Sequence, residues 1–129
     1  MTQTLFLCDD FTHMATTVLI VDDHPSFRSS ARTLLEDEGY AVVGEAENGV
    51  QALSAVAELH PDLVLLDVQL PDFDGFEIAT RLKRNGSPSV VLVSSRDADD
   101  FGTMVVECGA LGFIPKAELS GEALQRLMK

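Results

Sequence analysis

From residue 17 onward five short apolar runs alternate with helix-length amphipathic segments, and that alternation leaves few architectures open. The runs cover residues 17–21, 41–45, 63–66, 90–93 and 111–114. Because they are almost wholly apolar, both faces of each strand have to be covered. Helices lying between successive strands supply that cover through right-handed crossovers. The expectation is an α/β fold built on a parallel sheet, in a chain of 129 residues that can bury one core without disulfides.

Each intervening segment carries an apolar stripe and a fitting boundary residue. The first predicts Phe27, Ala31, Leu34 and Leu35 on the core face, with Pro25 in the opening turn and Gly39 at the exit. The second starts near Asn48, turns Val50, Leu53 and Val56 inward, and ends before Pro61. In the third, Phe76, Ala79 and Leu82 face the core and Asn85-Gly86 stops the helix. Phe101, Met104, Val105 and Cys108 mark a fourth that Gly109 closes, and Ser120 caps a short fifth running to Lys129. Phe73 and Phe76, at helical spacing, read as core rather than as a cofactor platform.

Residues 4–11 copy the pattern of residues 17–24, with one apolar run entering Asp9-Asp10 and the other Asp22-Asp23. Only the second copy is followed by enough chain for a crossover helix. Residues 1–16 are therefore expected to form a flexible extension without catalytic role, leaving one domain over residues 17–129. A native start at Met14 is a further expectation, since it would leave a minimal lead into the first strand.

A formal net charge of −12 repels phosphate backbones and anionic lipid, which argues against direct nucleic-acid or membrane binding by this chain. Cys8 and Cys108 form no zinc motif and suit a reducing compartment. Neither a membrane span nor a signal peptide is legible, so a cytoplasmic location is expected. Phosphate-binding glycine motifs for dinucleotides or P-loop nucleotides are absent from the sequence.

Two of the runs end in acids, the first in Asp22-Asp23 and the third in Asp67. In parallel α/β sheets, ligands bind beyond the carboxyl ends of the strands, so these three carboxylates converge on the ligand-binding edge. Like charges held together repel unless a cation intervenes, and a few carboxylates with retained waters suit Mg²⁺. A carboxylate attacks phosphorus without a base to activate it, which makes Asp67 the candidate nucleophile for Mg²⁺-assisted phosphoryl transfer. Ser94 and Lys116 follow the fourth and fifth strands and supply a neutral donor and a compensating cation. Singly, a strand-end Asp is commonly a helix cap and a loop Lys or Ser commonly solvated; five such groups at successive strand ends are not explained that way. His24 reads as a partly exposed loop side chain, and His13 and His60 give less reason for a role.

The segments Val21-Asp22-Asp23-His24-Pro25, Leu66-Asp67-Val68-Gln69-Leu70-Pro71-Asp72-Phe73-Asp74-Gly75, Val93-Ser94-Ser95 and Gly109-Ala110-Leu111-Gly112-Phe113-Ile114-Pro115-Lys116 together closely resemble the receiver domain of bacterial two-component response regulators. The resemblance implies a flavodoxin-like fold with strand order 2-1-3-4-5. It further implies Asp67 as acceptor of phosphate from a sensor histidine kinase, and Asp23 as a direct Mg²⁺ ligand. Asp22 would act chiefly through a metal-bound water, and the Gln69 carbonyl would complete the protein ligands. Ser94 corresponds to the switch hydroxyl, Phe113 to the switch aromatic and Lys116 to the phosphate-binding lysine. Phosphorylation would then alter the face formed by the fourth helix, fifth strand and fifth helix, with dimerisation through that face a further expectation.

Departures from the commonest pattern are Leu70 in place of Met before Pro71, and Ala117 where a Pro often follows the lysine. The motifs look most like the NarL-like group, whose receivers precede a helix-turn-helix DNA-binding domain, and the short last helix suits a receiver fragment. A stand-alone receiver acting in a phosphorelay or through protein partners is the alternative. A haloacid-dehalogenase-type phosphohydrolase, which also uses a strand-end Asp and Mg²⁺, needs a second acid where this chain has Gln69. No turnover of external substrates is expected beyond the chain's own phosphorylation and dephosphorylation.

Overall fold

A computed structural model describes residues 16–84, 88–96 and 101–128. Five strands, β1 (Thr17–Val21), β2 (Ala41–Ala46), β3 (Leu63–Asp67), β4 (Ser89–Ser94) and β5 (Gly112–Pro115), form one sheet in the order β2-β1-β3-β4-β5. Every neighbouring pair runs parallel, with Ile20 opposite Leu65, Leu66 opposite Leu92, and Leu92 opposite Phe113. Among the described residues five α-helices connect or follow the strands: α1 (Pro25–Asp37), α2 (Gly49–Leu59), α3 (Gly75–Arg84), α4 (Met104–Glu107) and α5 (Gly121–Met128). The expected flavodoxin-like α/β architecture, strand order included, is what forms.

Alternation along the strands divides the core in two. Val18, Ile20, Leu63, Leu65, Val91, Val93 and Ile114 pack against Ala31 and Leu35 of α1 and Leu124 of α5. Their neighbours Leu19, Val21, Val64, Leu66, Val90 and Leu92 point the other way, onto Ala52 of α2 and Phe76, Ile78, Ala79 and Leu82 of α3. Both faces are thus covered, as continuous apolar strands demand. The helix ends follow their residues: Gln51 N–H donates to Asn48 Oδ1 at 2.8 Å, Ala123 N–H donates to Ser120 Oγ at 3.0 Å, and Gly39 and Gly109 adopt the positive φ of exit turns.

Three expectations need correction. Val50 is 61% exposed, and the inward stripe of α2 is Gly49, Ala52, Leu53 and Val56. A Cβ on Gly49 would lie 2.7 Å from Phe73 and 2.9 Å from Ile78, so the phase of the helix is set by a residue with no side chain to advertise it. The fourth helix is a single turn: Gly102, at φ +61°, breaks the helical backbone between Phe101 and Met104, although Phe101 and Cys108 still pack inward. Finally, β5 begins at Gly112 rather than Leu111, whose side chain is half exposed. The expectations for residues 1–15, for Asn85-Gly86 and for Lys129 lie outside the described residues.

Candidate functional site

The sheet order places β1 beside β3, and their following helices leave toward opposite faces, so a crevice opens beyond these two strand ends. Asp22 and Asp67 stand there, 0% and 3% exposed, and Asp23 lies at the mouth with 37% of its side chain exposed. Asp22 Oδ1 accepts from the His24 backbone N–H at 2.8 Å, and the Asp22 carbonyl accepts from Arg28 Nη1 at 2.6 Å. Arg28 is itself held by Glu45, Nε to Oε1 at 3.0 Å, which ties α1 and β2 to the end of β1.

Lys116 reaches in from the far end of β5. Its ammonium lies 2.6 Å from Asp22 Oδ2, 3.4 Å from Asp67 Oδ2 and 4.6 Å from the centre of the Phe27 ring. The contact with Asp22 is close but off the direction a hydrogen bond needs, so Asp22 Oδ2 is buried without an aligned donor. Asp67 Oδ1 accepts from the Gln69 backbone N–H at 3.1 Å. Burial pushes the Asp67 carboxyl up to about 6; the Asp22 charge adds to this, while the Gln69 N–H and Lys116 oppose it.

One donor atom from each of Asp22, Asp23, His24 and Asp67 falls within 4.8 Å of the others. The buried, unaligned Asp22 oxygen and the surplus of acids over cations fit a hard divalent cation. Ser94, fully buried at the end of β4, accepts from the Arg96 backbone N–H at 3.1 Å through Oγ. Phe113 on β5 belongs to a ladder of rings, with its centre 5.6 Å from Phe101, which lies 5.4 Å from Phe76. The structure therefore gathers Asp22, Asp23, Asp67 and Lys116 into one constellation, with Gln69 contributing a backbone N–H. Ser94 is anchored at the next strand end, and Phe113 packs, partly buried, against the core.

Several residues of this region had escaped sequence reasoning. Asp72 accepts the Gly49 and Val50 amides at 2.8 and 3.0 Å, latching the β3–α3 loop onto the start of α2. Asp74 Oδ1 accepts from Glu77 N–H at 2.8 Å and caps α3. Asp74 was open to reading as an N-cap from its place three residues before Glu77. Asp72 and Arg28 act on other elements, and Phe27, legible as a core-face residue, also meets Lys116; no local pattern marks these contacts.

Among the described residues no helix is long and apolar enough to cross a membrane. Residues 18–128 match the family described as response regulator receiver domain. BvgA of Bordetella pertussis, named as a transcription regulator of virulence factors, is 42% identical over 102 residues, which are 78% of this chain and 49% of that protein. Among solved structures, the signal receiver domain of the response regulator NarL from Mycobacterium tuberculosis superposes with a TM-score of 0.77 at 32% identity, covering 88% of this chain and 97% of that one. A LuxR-family two-component response regulator from Aurantimonas gives 0.80 at 30% identity, covering 88% and 83%. The chain spans about half the length of the curated relatives it matches.

Proposed function

This chain belongs to the response regulator receiver family, and from that membership we propose that Asp67 accepts a phosphoryl group from the phosphohistidine of a sensor kinase. The single observation that supports this most is the buried Asp67 carboxylate flanked by Asp22 and Lys116 at the β1/β3 crevice. An Asp67 oxygen attacks phosphorus in line with the leaving imidazole. A P–O bond forms, the P–N bond breaks, and its electron pair returns to the histidine nitrogen. Asp22, Asp23, Asp67 and the Gln69 carbonyl would hold Mg²⁺. That ion supplies the positive charge that neutralises the phosphoryl oxygens.

The chain's own groups do the rest. Lys116 shifts its ammonium from Asp22 to a phosphoryl oxygen, and Phe27 keeps that ammonium at the mouth of the crevice through either position. The Gln69 N–H holds one Asp67 oxygen, leaving the other for attack. Ser94 Oγ, turning from the Arg96 amide, donates to the phosphoryl group, and Phe113 repacks against Phe101 into the space vacated. Met104, Val106 and Leu111 expose apolar surface on α4 and just before β5, the face through which the altered state would meet a partner or a second copy.

In the whole protein the output would be a DNA-binding effector domain, a reading supported by relatives about twice as long. The chain would then work in the cytoplasm and catalyse only its own phosphorylation and dephosphorylation. Incubation with Mg²⁺ and acetyl phosphate, followed by intact-mass measurement, tests the core of this reading. A labile phosphate adduct is expected on the wild type and not on Asp67→Asn. An unmodified wild type would refute it, and light scattering before and after loading reads the dimer.

A further inference from the structure

His24 stands at the N-cap of α1 yet makes no side-chain cap bond. Its ring turns toward the acids instead: Nδ1 lies 3.0 Å from Asp22 Oδ1 and 3.1 Å from Asp23 Oδ1, with the side chain 64% exposed. Ligands held about 2.0–2.1 Å from an octahedral ion stand about 3 Å apart along each edge, so Nδ1 already has the spacing of an adjacent ligand to each of the two oxygens. A hydrogen bond has the same length. The two arrangements share one ring position and differ only in whether a proton or a metal lies on Nδ1.

Resting on the receiver reading of this pocket, we propose that His24 Nδ1 is a nitrogen ligand that gives the site a preference for borderline divalent transition ions, such as Co²⁺ and Ni²⁺, over Mg²⁺. Imidazole favours these borderline ions, whereas Mg²⁺ prefers oxygen ligands and retained waters. With a transition ion bound, the ring is neutral, its remaining proton sits on Nε2, and Nδ1 donates its lone pair to the metal. Asp67 offers a further carboxylate oxygen within 4.8 Å of the same group of donor atoms.

The test uses the full chain as wild type, His24→Ala, and His60→Ala as a control at the opposite edge of the sheet, where His60 closes α2. Mn²⁺-loaded samples are examined by electron spin echo spectroscopy for nitrogen coupling. Co²⁺ and Mg²⁺ affinities come from absorption titration and competition. Nitrogen coupling is expected in wild type and in His60→Ala but not in His24→Ala, and the Co²⁺-to-Mg²⁺ affinity ratio should fall about tenfold in His24→Ala. No coupling in wild type, or an unchanged ratio, overturns the proposal. His24→Asn, read by the same two measurements, serves where the alanine variant does not fold. Acetyl phosphate labelling of wild type with Mg²⁺ alone reads the receiver chemistry separately, so a failure there counts against that reading and not against nitrogen ligation.

Discussion

Lys116 pairs more closely with Asp22 than with Asp67, at 2.6 Å against 3.4 Å. Before any phosphoryl group arrives, the lysine is thus shared between a metal-site acid, which it approaches without an aligned hydrogen bond, and the acceptor, to which it donates. Burial and the Asp22 charge hold the Asp67 carboxyl up at about 6, and a bound cation would favour its ionised form.

Replacing Lys116 with Met should push the Asp67 carboxyl further up, because the lysine opposes the effects of burial and of Asp22. Carbon-detected NMR titration of the aspartate carboxyls measures this. Labelling from acetyl phosphate should slow by about tenfold at neutral pH through loss of a charge on the phosphoryl oxygens. A titration curve that does not move would show that the 3.4 Å contact carries no charge interaction.

Asp67→Asn should make the metal-free protein more stable, and only in one pH range. The folded carboxyl, at about 6, lies above its ordinary value of 3.8, so between these pH values the native state holds more protons than the unfolded state. The contribution of Asp67 is therefore intact below about pH 4 and is lost as pH rises through 6. Above that, the buried carboxylate costs about 2–3 kcal/mol. Urea midpoints of the two proteins should coincide near pH 4 and separate in favour of the variant by pH 7, with saturating Mg²⁺ narrowing the gap. A separation that is constant with pH would contradict this.

Gly75→Ala should destabilise by about 1–3 kcal/mol and slow phosphoryl acceptance together. An added Cβ would stand 2.5 Å from the Asp67 carbonyl oxygen and 2.8 Å from Val68 Cα, both backbone atoms that cannot swing aside. Chemical denaturation and acetyl phosphate labelling give the two readouts. A stable, fully active variant would mean that the α3 start relaxes without moving Asp67.

Asp72→Ala should raise amide hydrogen exchange at Gly49 and Val50 and lower the melting temperature. Those two amides lose the carboxylate that accepts them from the β3–α3 loop. The backbone hydrogen bonds also hold the Asp72 carboxyl below its usual range against a desolvation that raises it, so the latch should persist until pH falls through that lowered value. Unchanged exchange at both positions would show that Asn48 alone secures the end of the helix.

Strand positions were legible to within a residue because a run buried on both faces has to be apolar, and β1, β3 and β4 are such runs. Asp22, Asp23, Asp67, Ser94 and Lys116 were legible as a group for a related reason: in a parallel sheet, every residue just past a strand reaches the same edge. Val50 misled because the close contact between α2 and α3 is made by Gly49 and Ala52, whose small size carries little periodic signal. The fourth helix was overestimated because a stripe of apolar residues does not require continuous helix: Phe101 and Cys108 reach the core on either side of the break at Gly102.

What the sequence determined by itself was the architecture and the membership of the acid-rich edge, since both follow from local periodicity and from the order of elements along the chain. Only the tertiary structure decided which atoms meet: that Lys116 favours Asp22, that Asp72 holds α2, that Arg28 grips the Asp22 carbonyl, and that the His24 ring faces two carboxylates. Periodicity encodes which side of an element is buried. Distances between side chains on different elements are set by sheet order, register and helix packing, and these exist only once the whole chain has folded.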